Sequence, residues 1–325
     1  LGAIMQNKKS IIFLQDTLVL GRLTSTKHAN GIDWWLITHR WNSDLYLKFL
    51  VTPDTLLGPF PQQIGSLVIK EDVVGQACFS PDGSKFCYVN RNFNFDYMKF
   101  DRCTGDFSEA LNITLDSNTT QGCAFSPNSR FLYVNNFNQI YQFDTWADDF
   151  EASKILVDTI PFVQTGIADW FAVQMLAPDN KIYISTYNGV KAMHVINQPD
   201  SLGAACDFVR KGLVLPTYNL YAIPNHPNYD LGESPSSDTC EAIYTIAPRP
   251  SKNTTAYRIA PNPVSDWLNI SYQSNENALF ELFDLYGNRV GATSLFHYFK
   301  NRLLNVSDLP TGFYLAVVTC SGEKI

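Results

Sequence analysis

The residues able to do chemistry are scattered along this chain. Its five histidines, His28, His39, His194, His226 and His297, show no HxH or HExxH spacing. His28 and His39 flank one expected strand and can approach each other, yet no third ligand accompanies them, so all five read as structural. No GxSxG elbow, GxGxxG turn, P-loop or DxDxDG loop is present. Asp82-Gly83 and Asp179-Asn180 read as turn residues rather than calcium ligands. Asp148-Asp149-Glu151, after Trp146, reads as a solvated loop; a glycosidase needs two carboxyls facing each other across a sugar, which this run does not specify. Trp34, Trp35 and Trp41 have the type needed to stack on a sugar, but alternating aromatics in a strand are more often core. The sequence thus nominates no catalytic, metal or cofactor residue, and no cofactor is expected.

Seven cysteines are present, none in CxxC spacing, which disfavours a zinc ribbon or a thioredoxin-like site. In an oxidising compartment some would pair. The expected pairs are Cys103 with Cys123 and Cys206 with Cys240, and the odd count leaves at least one thiol over. Five N-x-S/T triplets, at Asn112, Asn118, Asn253, Asn269 and Asn305, match a glycan acceptor pattern, which is short and arises by chance.

Composition bounds the fold class. The chain has 325 residues, with 14% aromatic and 17% charged residues and a formal charge of −7. That suits a folded, β-rich extracellular protein of two domains and argues against disorder. Basic residues form no stripe, so nucleic acid is not an expected partner. No apolar run is long enough for a membrane-spanning helix. Lys8-Lys9 precede only a short apolar stretch broken by Asp16, a strand pattern rather than a signal peptide. A secreted chain needs such a signal, so a processed or truncated start is expected.

The elements that would position these residues repeat. Cys78-Phe79-Ser80-Pro81-Asp82-Gly83-Ser84-Lys85-Phe86, Ala124-Phe125-Ser126-Pro127-Asn128-Ser129-Arg130-Phe131 and Met175-Leu176-Ala177-Pro178-Asp179-Asn180-Lys181-Ile182 each read as strand, Pro-Asp/Asn turn, strand. Second hairpins follow, as in Asp96–Asp101 and Gln139–Asp144, with an earlier copy at Asp44–Phe49 opposite Gly31–His39. Two hairpins per unit at a period of about 40–50 residues predict WD-like β-propeller blades, since one such unit cannot bury both its faces. Units fall near 28–72, 73–116, 117–165 and 166–212, with partial units at 1–27 and 213–247. The reading is a propeller over 1–247 with five to six blades visible: either the two partial units join into one blade, giving five, or, as the favoured option, further blades lie upstream, as in a seven-bladed ring. Pro248-Arg249-Pro250-Ser251 through Thr255 reads as a linker, 248–256.

The remaining residues, 257–325, carry three ordered pieces. These are Ala260-Pro261-Asn262-Pro263 leading into the alternating Leu268, Ile270 and Tyr272; Asp284-Leu285-Tyr286-Gly287-Asn288; and Leu309-Pro310-Thr311-Gly312-Phe313-Tyr314. Alone they predict a small immunoglobulin-like β-sandwich with turns at Gly287 and Gly312. Together they resemble the C-terminal sorting domain of type IX secretion substrates of Bacteroidota-type bacteria, with Pro261, Asn262, Pro263, Asp284, Gly287, Gly312 and Tyr314 as the motif positions. The resemblance implies export across the outer membrane, delivery to the cell surface or beyond, and the type IX machinery as a partner. Residues 1–240 are similar to secreted propellers of the same bacteria. Asp16-Thr17-Leu18, Asp54-Thr55-Leu56 and Asp158-Thr159-Ile160 resemble the O-glycosylation signal of such bacteria, nominating Thr17, Thr55 and Thr159 near strand ends.

The function expected from these readings is a non-enzymatic, secreted surface protein. Its propeller would serve binding or self-assembly, as in a filament subunit, with another copy of itself or surface glycans as the partner. The alternatives are a polysaccharide-active hydrolase or lyase with its site at the propeller axis, and a carbohydrate-binding adhesin.

Overall fold

In the computed structural model the described residues are 13–53, 55–69, 75–90, 94–115, 119–161, 169–234, 240, 257–261, 264–274, 276–284, 287–320 and 323–324. The chain is all-β. Four antiparallel sheets follow one another, each a four-stranded meander in chain order. Sheet 1 holds β1 (Thr24–Lys27), β2 (Trp34–His39), β3 (Ser43–Val51) and β4 (Leu56–Val68). Sheet 2 holds β5 (Ala77–Phe79), β6 (Lys85–Asn90), β7 (Asn94–Phe100) and β8 (Phe107–Thr114). Sheet 3 holds β9 (Thr120–Phe125), β10 (Phe131–Asn136), β11 (Gln139–Asp144) and β12 (Ile155–Thr159). Sheet 4 holds β13 (Phe171–Leu176), β14 (Ile182–Thr186), β15 (Val190–Ile196) and β16 (Phe208–Asn219).

Turn chemistry explains why the same unit recurs. The residue after each Pro-Asp/Asn pair takes a left-handed conformation: Gly83 at φ 72°, Ser129 at φ 62° and Asn180 at φ 62°. Ahead of the turn, Ser80 Oγ donates to Asp82 Oδ1 and Ser126 Oγ to Asn128 Oδ1, at 2.5 and 2.7 Å. The same hydroxyls accept from the N–H of Lys85 and of Phe131, so both first hairpins are closed alike.

Strand periodicity then sends alternate side chains to opposite neighbours. On β6, Phe86 and Tyr88 pack with Trp35, Ile37 and Tyr46 of sheet 1, whereas Cys87 and Val89 pack with Cys123, Phe125 and Leu132 of sheet 3. On β10, Leu132 and Val134 face sheet 2, while Phe131 and Tyr133 face Phe171, Ile182 and Ile184 of sheet 4. Sheets 2 and 3 are therefore buried on both faces, which is why β9 and β10 have no exposed residue. Each such aromatic contributes about 1.5–3 kcal/mol through burial.

The flanking partial units form no sheet of their own among the described residues. Leu18 makes a single bridge to Arg40. Residues 213–219 lengthen β16, and 220–234 runs as a strap, where Pro224 and Pro227 cannot donate to a ladder. The linker expected at 248–256 lies outside the described residues.

The C-terminal part is a separate two-sheet sandwich. One sheet has the order β17 (Tyr257–Ala260), β18 (Trp267–Tyr272), β21 (Asn301–Asn305); the other β20 (Arg289–Leu295), β19 (Ala278–Phe283), β22 (Leu315–Cys320), β23 (Glu323–Lys324). Leu268, Ile270, Phe280, Leu282, Leu295 and Val318 fill the space between them. Asn301 Nδ2 donates to the Leu56 carbonyl at 3.2 Å, a bond between the sandwich and sheet 1.

Candidate functional site: the cavity where the four sheets meet

The first strands of all four sheets line one cavity of about 440 Å³. Thr24 and Ser25 come from β1, Cys78 and Phe79 from β5, Cys123 and Ala124 from β9, and Gln174 and Met175 from β13. The strap supplies Pro224 through Asp230. It is held by Asn225 Nδ2 donating to the Leu23 carbonyl at 3.1 Å and Asn228 Nδ2 to the Pro81 carbonyl at 2.9 Å. Arg102 donates to the Gly232 carbonyl, and Ser234 N–H to the Ala29 carbonyl at 2.8 Å.

At this meeting point the polar groups hold the sheets to one another. Gln76 Oε1 accepts from the N–H of Gln174 at 2.9 Å and of Cys123 at 3.2 Å, and its Nε2 donates to the Gln174 carbonyl at 2.5 Å. One side chain thus joins sheets 2, 3 and 4. Gln174, fully buried, donates onward to Asn135 Oδ1 at 2.5 Å. Gly122 is required here, because a Cβ would meet the Ala172 carbonyl at 2.5 Å. Sequence reasoning missed this clamp. Its signal was a glutamine inside the apolar run Phe171-Ala172-Val173-Gln174-Met175-Leu176.

The outer seams repeat the device. Lys48 Nζ donates to Gln62 Oε1 at 2.8 Å and to Asp106 Oδ1 at 2.9 Å, crossing from sheet 1 to the edge of sheet 2. Burial lowers the Lys48 pKa, opposed by the Asp106 bond. Asp96 accepts from Ser66 N, Ser66 Oγ and Asn112 Nδ2 at 2.6–2.9 Å. Gln142 donates to Tyr133 Oη and the Ser201 carbonyl and accepts from Gly203 N–H.

His226 of the strap lines the cavity, whereas the other histidines lie elsewhere. His28 Nε2 lies 3.0 Å from the Cys103 carbonyl, and its Nδ1 accepts from Asn30 N–H. His39 stacks edge-on against Tyr46 at 4.4 Å, and burial lowers its pKa from 6.5 to about 4. His194 Nε2 lies 2.9 Å from the Asp169 carbonyl, and burial lowers its pKa too. Among the described residues no group of three or more His, Cys, Asp or Glu side chains forms a metal cage. Trp35 is core, Trp34 packs on Tyr229 of the strap, and Trp41 and Trp146 are exposed. Asp148, Asp149 and Glu151 are exposed, as expected of a solvated loop.

The disulfide differs from both expected pairings. Cys103 bonds Cys240, with Cα atoms 5.2 Å apart, while Cys123 and Cys206 carry free thiols. The reason is topological: the strap brings the chain back past Ala29, which packs with Cys103 and Cys240. Cys206 lies on the other side of the array, in the core between sheets 3 and 4.

The glycosylation candidates divide. Thr17 and Thr159 are exposed. Thr55 departs from its expected projection, for its Oγ1 is buried, and its N–H is tied to Thr52 Oγ1 at 3.0 Å. Asn112 is held by Ser66 and Asp96 through Nδ2.

Of the sorting-motif positions, Asn262 and Pro263 lie outside the described residues. Pro261 follows β17 directly. Asp284 Oδ1 accepts from Asn288 N–H at 2.8 Å, and its carbonyl accepts from Gly287, which sits at φ 83°. Gly312 precedes Tyr314, whose hydroxyl donates to the Pro310 carbonyl and ties the turn to β22. These residues shape turns.

Residues 258–325 match the family described as the secretion system C-terminal sorting domain. The protein is accordingly a type IX secretion substrate of Bacteroidota type, exported to the cell surface or extracellular space, and the secretion machinery is a partner of this domain. No curated protein matches the chain. Solved structures with a similar arrangement include one from Bacteroides uniformis, provisionally named a 6-phosphogluconolactonase, at 15% identity and TM-score 0.42, over 63% of this chain and 61% of that one. A second, from Bacteroides fragilis and likewise named, has 15% identity and TM-score 0.43, over 60% of this chain and 56% of that one. The chain thus spans about three fifths of the length of these proteins.

Proposed function

We propose that the four sheets are consecutive blades of a β-propeller over residues 1–247, joined through 248–256 to the sorting domain. Its role is that of a non-enzymatic surface protein which binds surface glycans or another copy of itself. The radial order supports the propeller: each sheet's first strand lines one cavity, and β1, β5, β9 and β13 contact one another in sequence through the inner ends of the sheets. One observation carries the non-catalytic reading. Gln76 Oε1 and Nε2, Gln174 Nε2 and Asn135 Oδ1, polar atoms at or beside the axis, are engaged in hydrogen bonds between sheets. Preorganised catalytic groups from several strands need their donors and acceptors aimed at a substrate instead. The exposed Thr17 and Thr159 are the candidate O-glycosylation sites on this surface.

The test begins with protein taken from the cell surface, by intact mass and mapping of both ends. Sedimentation over a concentration series and binding to a panel of surface polysaccharides follow. Self-association or polysaccharide retention is the expected result. A monomer at every concentration that retains no polysaccharide, or one that cleaves it, overturns the reading.

A further inference from the structure

Three thiols lie in the core between sheets 2 and 3. Cys87 and Cys123 are fully buried, and Cys78 packs against the same cluster while keeping partial exposure at the cavity wall. The sulfurs of Cys78, on β5, and Cys123, on β9, are 3.3 Å apart. They belong to neighbouring sheets and face one another across the seam that Gln76 clamps. We propose that Cys78 and Cys123 form a second disulfide, joining sheets 2 and 3 at the rim of the cavity.

Roughly 1.3 Å of approach separates this contact from the ~2.05 Å of a covalent bond, within reach of side-chain rotation. The chain is exported, and outside the cytoplasm thiols meet oxidants rather than a reducing pool. The same sheet already carries Cys103–Cys240, which fastens its opposite flank to the returning chain. With the second bond, sheet 2 is stapled on both sides.

The oxidant is an external disulfide, either oxidised glutathione or the disulfide of a thiol oxidoreductase. The Cys78 thiolate attacks one of its sulfurs, forming a mixed disulfide and releasing one thiolate. The Cys123 thiolate then attacks the Cys78 sulfur and displaces the second. Two electrons pass to the oxidant, and the two thiol protons end on the released thiolates. Cys78, the more exposed, is the entry point. Both pKa values are raised, that of Cys78 by its contact with Cys123 and then by burial, that of Cys123 mainly by burial. Exchange is therefore slow in the closed array and fastest during folding or at alkaline pH.

A rival exists, since Cys78 lies opposite Cys87 in the β5–β6 register. The test separates them. The full chain, collected from the cell exterior without reductant, is denatured, alkylated and digested. The expected product is the Cys78 peptide linked to the Cys123 peptide, lost on reduction. Both peptides alkylated while Cys103–Cys240 stays linked overturns the proposal, as does a Cys78–Cys87 link. In Cys78→Ser and Cys123→Ser chains the unreduced melting temperature should fall, and the double variant should fall by clearly less than the sum of the two, since one bond is lost only once. Fully additive falls argue against a shared bond. Where a variant fails to fold, the wild-type peptide map decides alone.

Discussion

The sheet array and the C-terminal sandwich solve the same burial problem differently. The sandwich closes on itself: two sheets face each other over Leu268, Ile270, Phe280, Leu282 and Val318. An array sheet cannot do this, because both of its faces are apolar and each needs a different neighbour. The array sets polar pins such as Gln76, Lys48, Asp96 and Gln142 at several seams, whereas in the sandwich the Tyr272 hydroxyl, donating to the Phe296 carbonyl at 3.0 Å, bridges a single pair of facing sheets. Apolar packing is non-directional, so it holds sheets together without fixing how they stack. A buried amide with one set of partners adds that direction, since any other stacking leaves it unsatisfied. The sandwich, with one partner per face, has less need of such specification.

The strongest way to break the comparison is to empty the sandwich core. Phe280 is fully buried between the sandwich sheets. Phe280→Ala should cost about 3–5 kcal/mol. If the two parts are separate cooperative units, calorimetry will show one transition lost or shifted far down and the array transition unmoved. Export should fail with it. A single transition that shifts as a whole would mean the parts melt together.

Acid should act on the array first. Burial lowers the His39 pKa from 6.5 to about 4, so the folded array favours the neutral ring. The contribution is complete above 6.5 and is lost as pH falls from there to about 4, and the loss does not grow further below that. A shift of this size corresponds to about 3 kcal/mol. Burial shifts His194 in the same direction. The array's melting temperature should fall between pH 7 and pH 4, a range drawn from those about-4 and 6.5 limits, and His39→Asn should flatten the profile. The same slope in the variant would remove His39 from the account.

Removing the clamp comes next. Gln76→Ala leaves the N–H groups of Gln174 and Cys123 without their acceptor. The expected cost is about 2 kcal/mol, the scale for leaving a buried donor without its acceptor. Urea unfolding should show it in the array transition alone. Gln76→Met keeps most of the volume but not the acceptor and should recover little of the loss, whereas a loss set only by packing volume would be largely recovered.

How much of this was legible follows from how far each signal travels along the chain. The Pro-Asp and Pro-Asn turns are local, so the repeat could be read directly, and so could the ordered turns of the sorting domain. The clamp joins Gln76, Cys123 and Gln174, whose strands become neighbours only after three sheets have stacked. A glutamine in an apolar strand was visible, but its partners were not. The disulfide shows the same limit, for Cys103 and Cys240 are 137 residues apart and meet because the strap returns to sheet 1. Thr55 fails at shorter range. The triplet names a hydroxyl but leaves open whether the strand end turns it inward, as it does here.

The smallest effect probes whether charge also pins the seams. Arg210 on β16 forks onto Asp158 on β12 at 2.6 and 2.9 Å, bridging sheets 4 and 3 at the rim. The bond to Asp158 raises the Arg210 pKa, but both side chains remain in contact with solvent. Water and salt screen such pairs, so Arg210→Ala should cost under about 1 kcal/mol, and less still in high salt. Comparison with Gln76→Ala sharpens the point: that loss should hardly depend on salt, because no net charge is involved. If Arg210→Ala instead costs as much as the clamp variant, the outer rim carries stacking specificity that the buried amides were assigned.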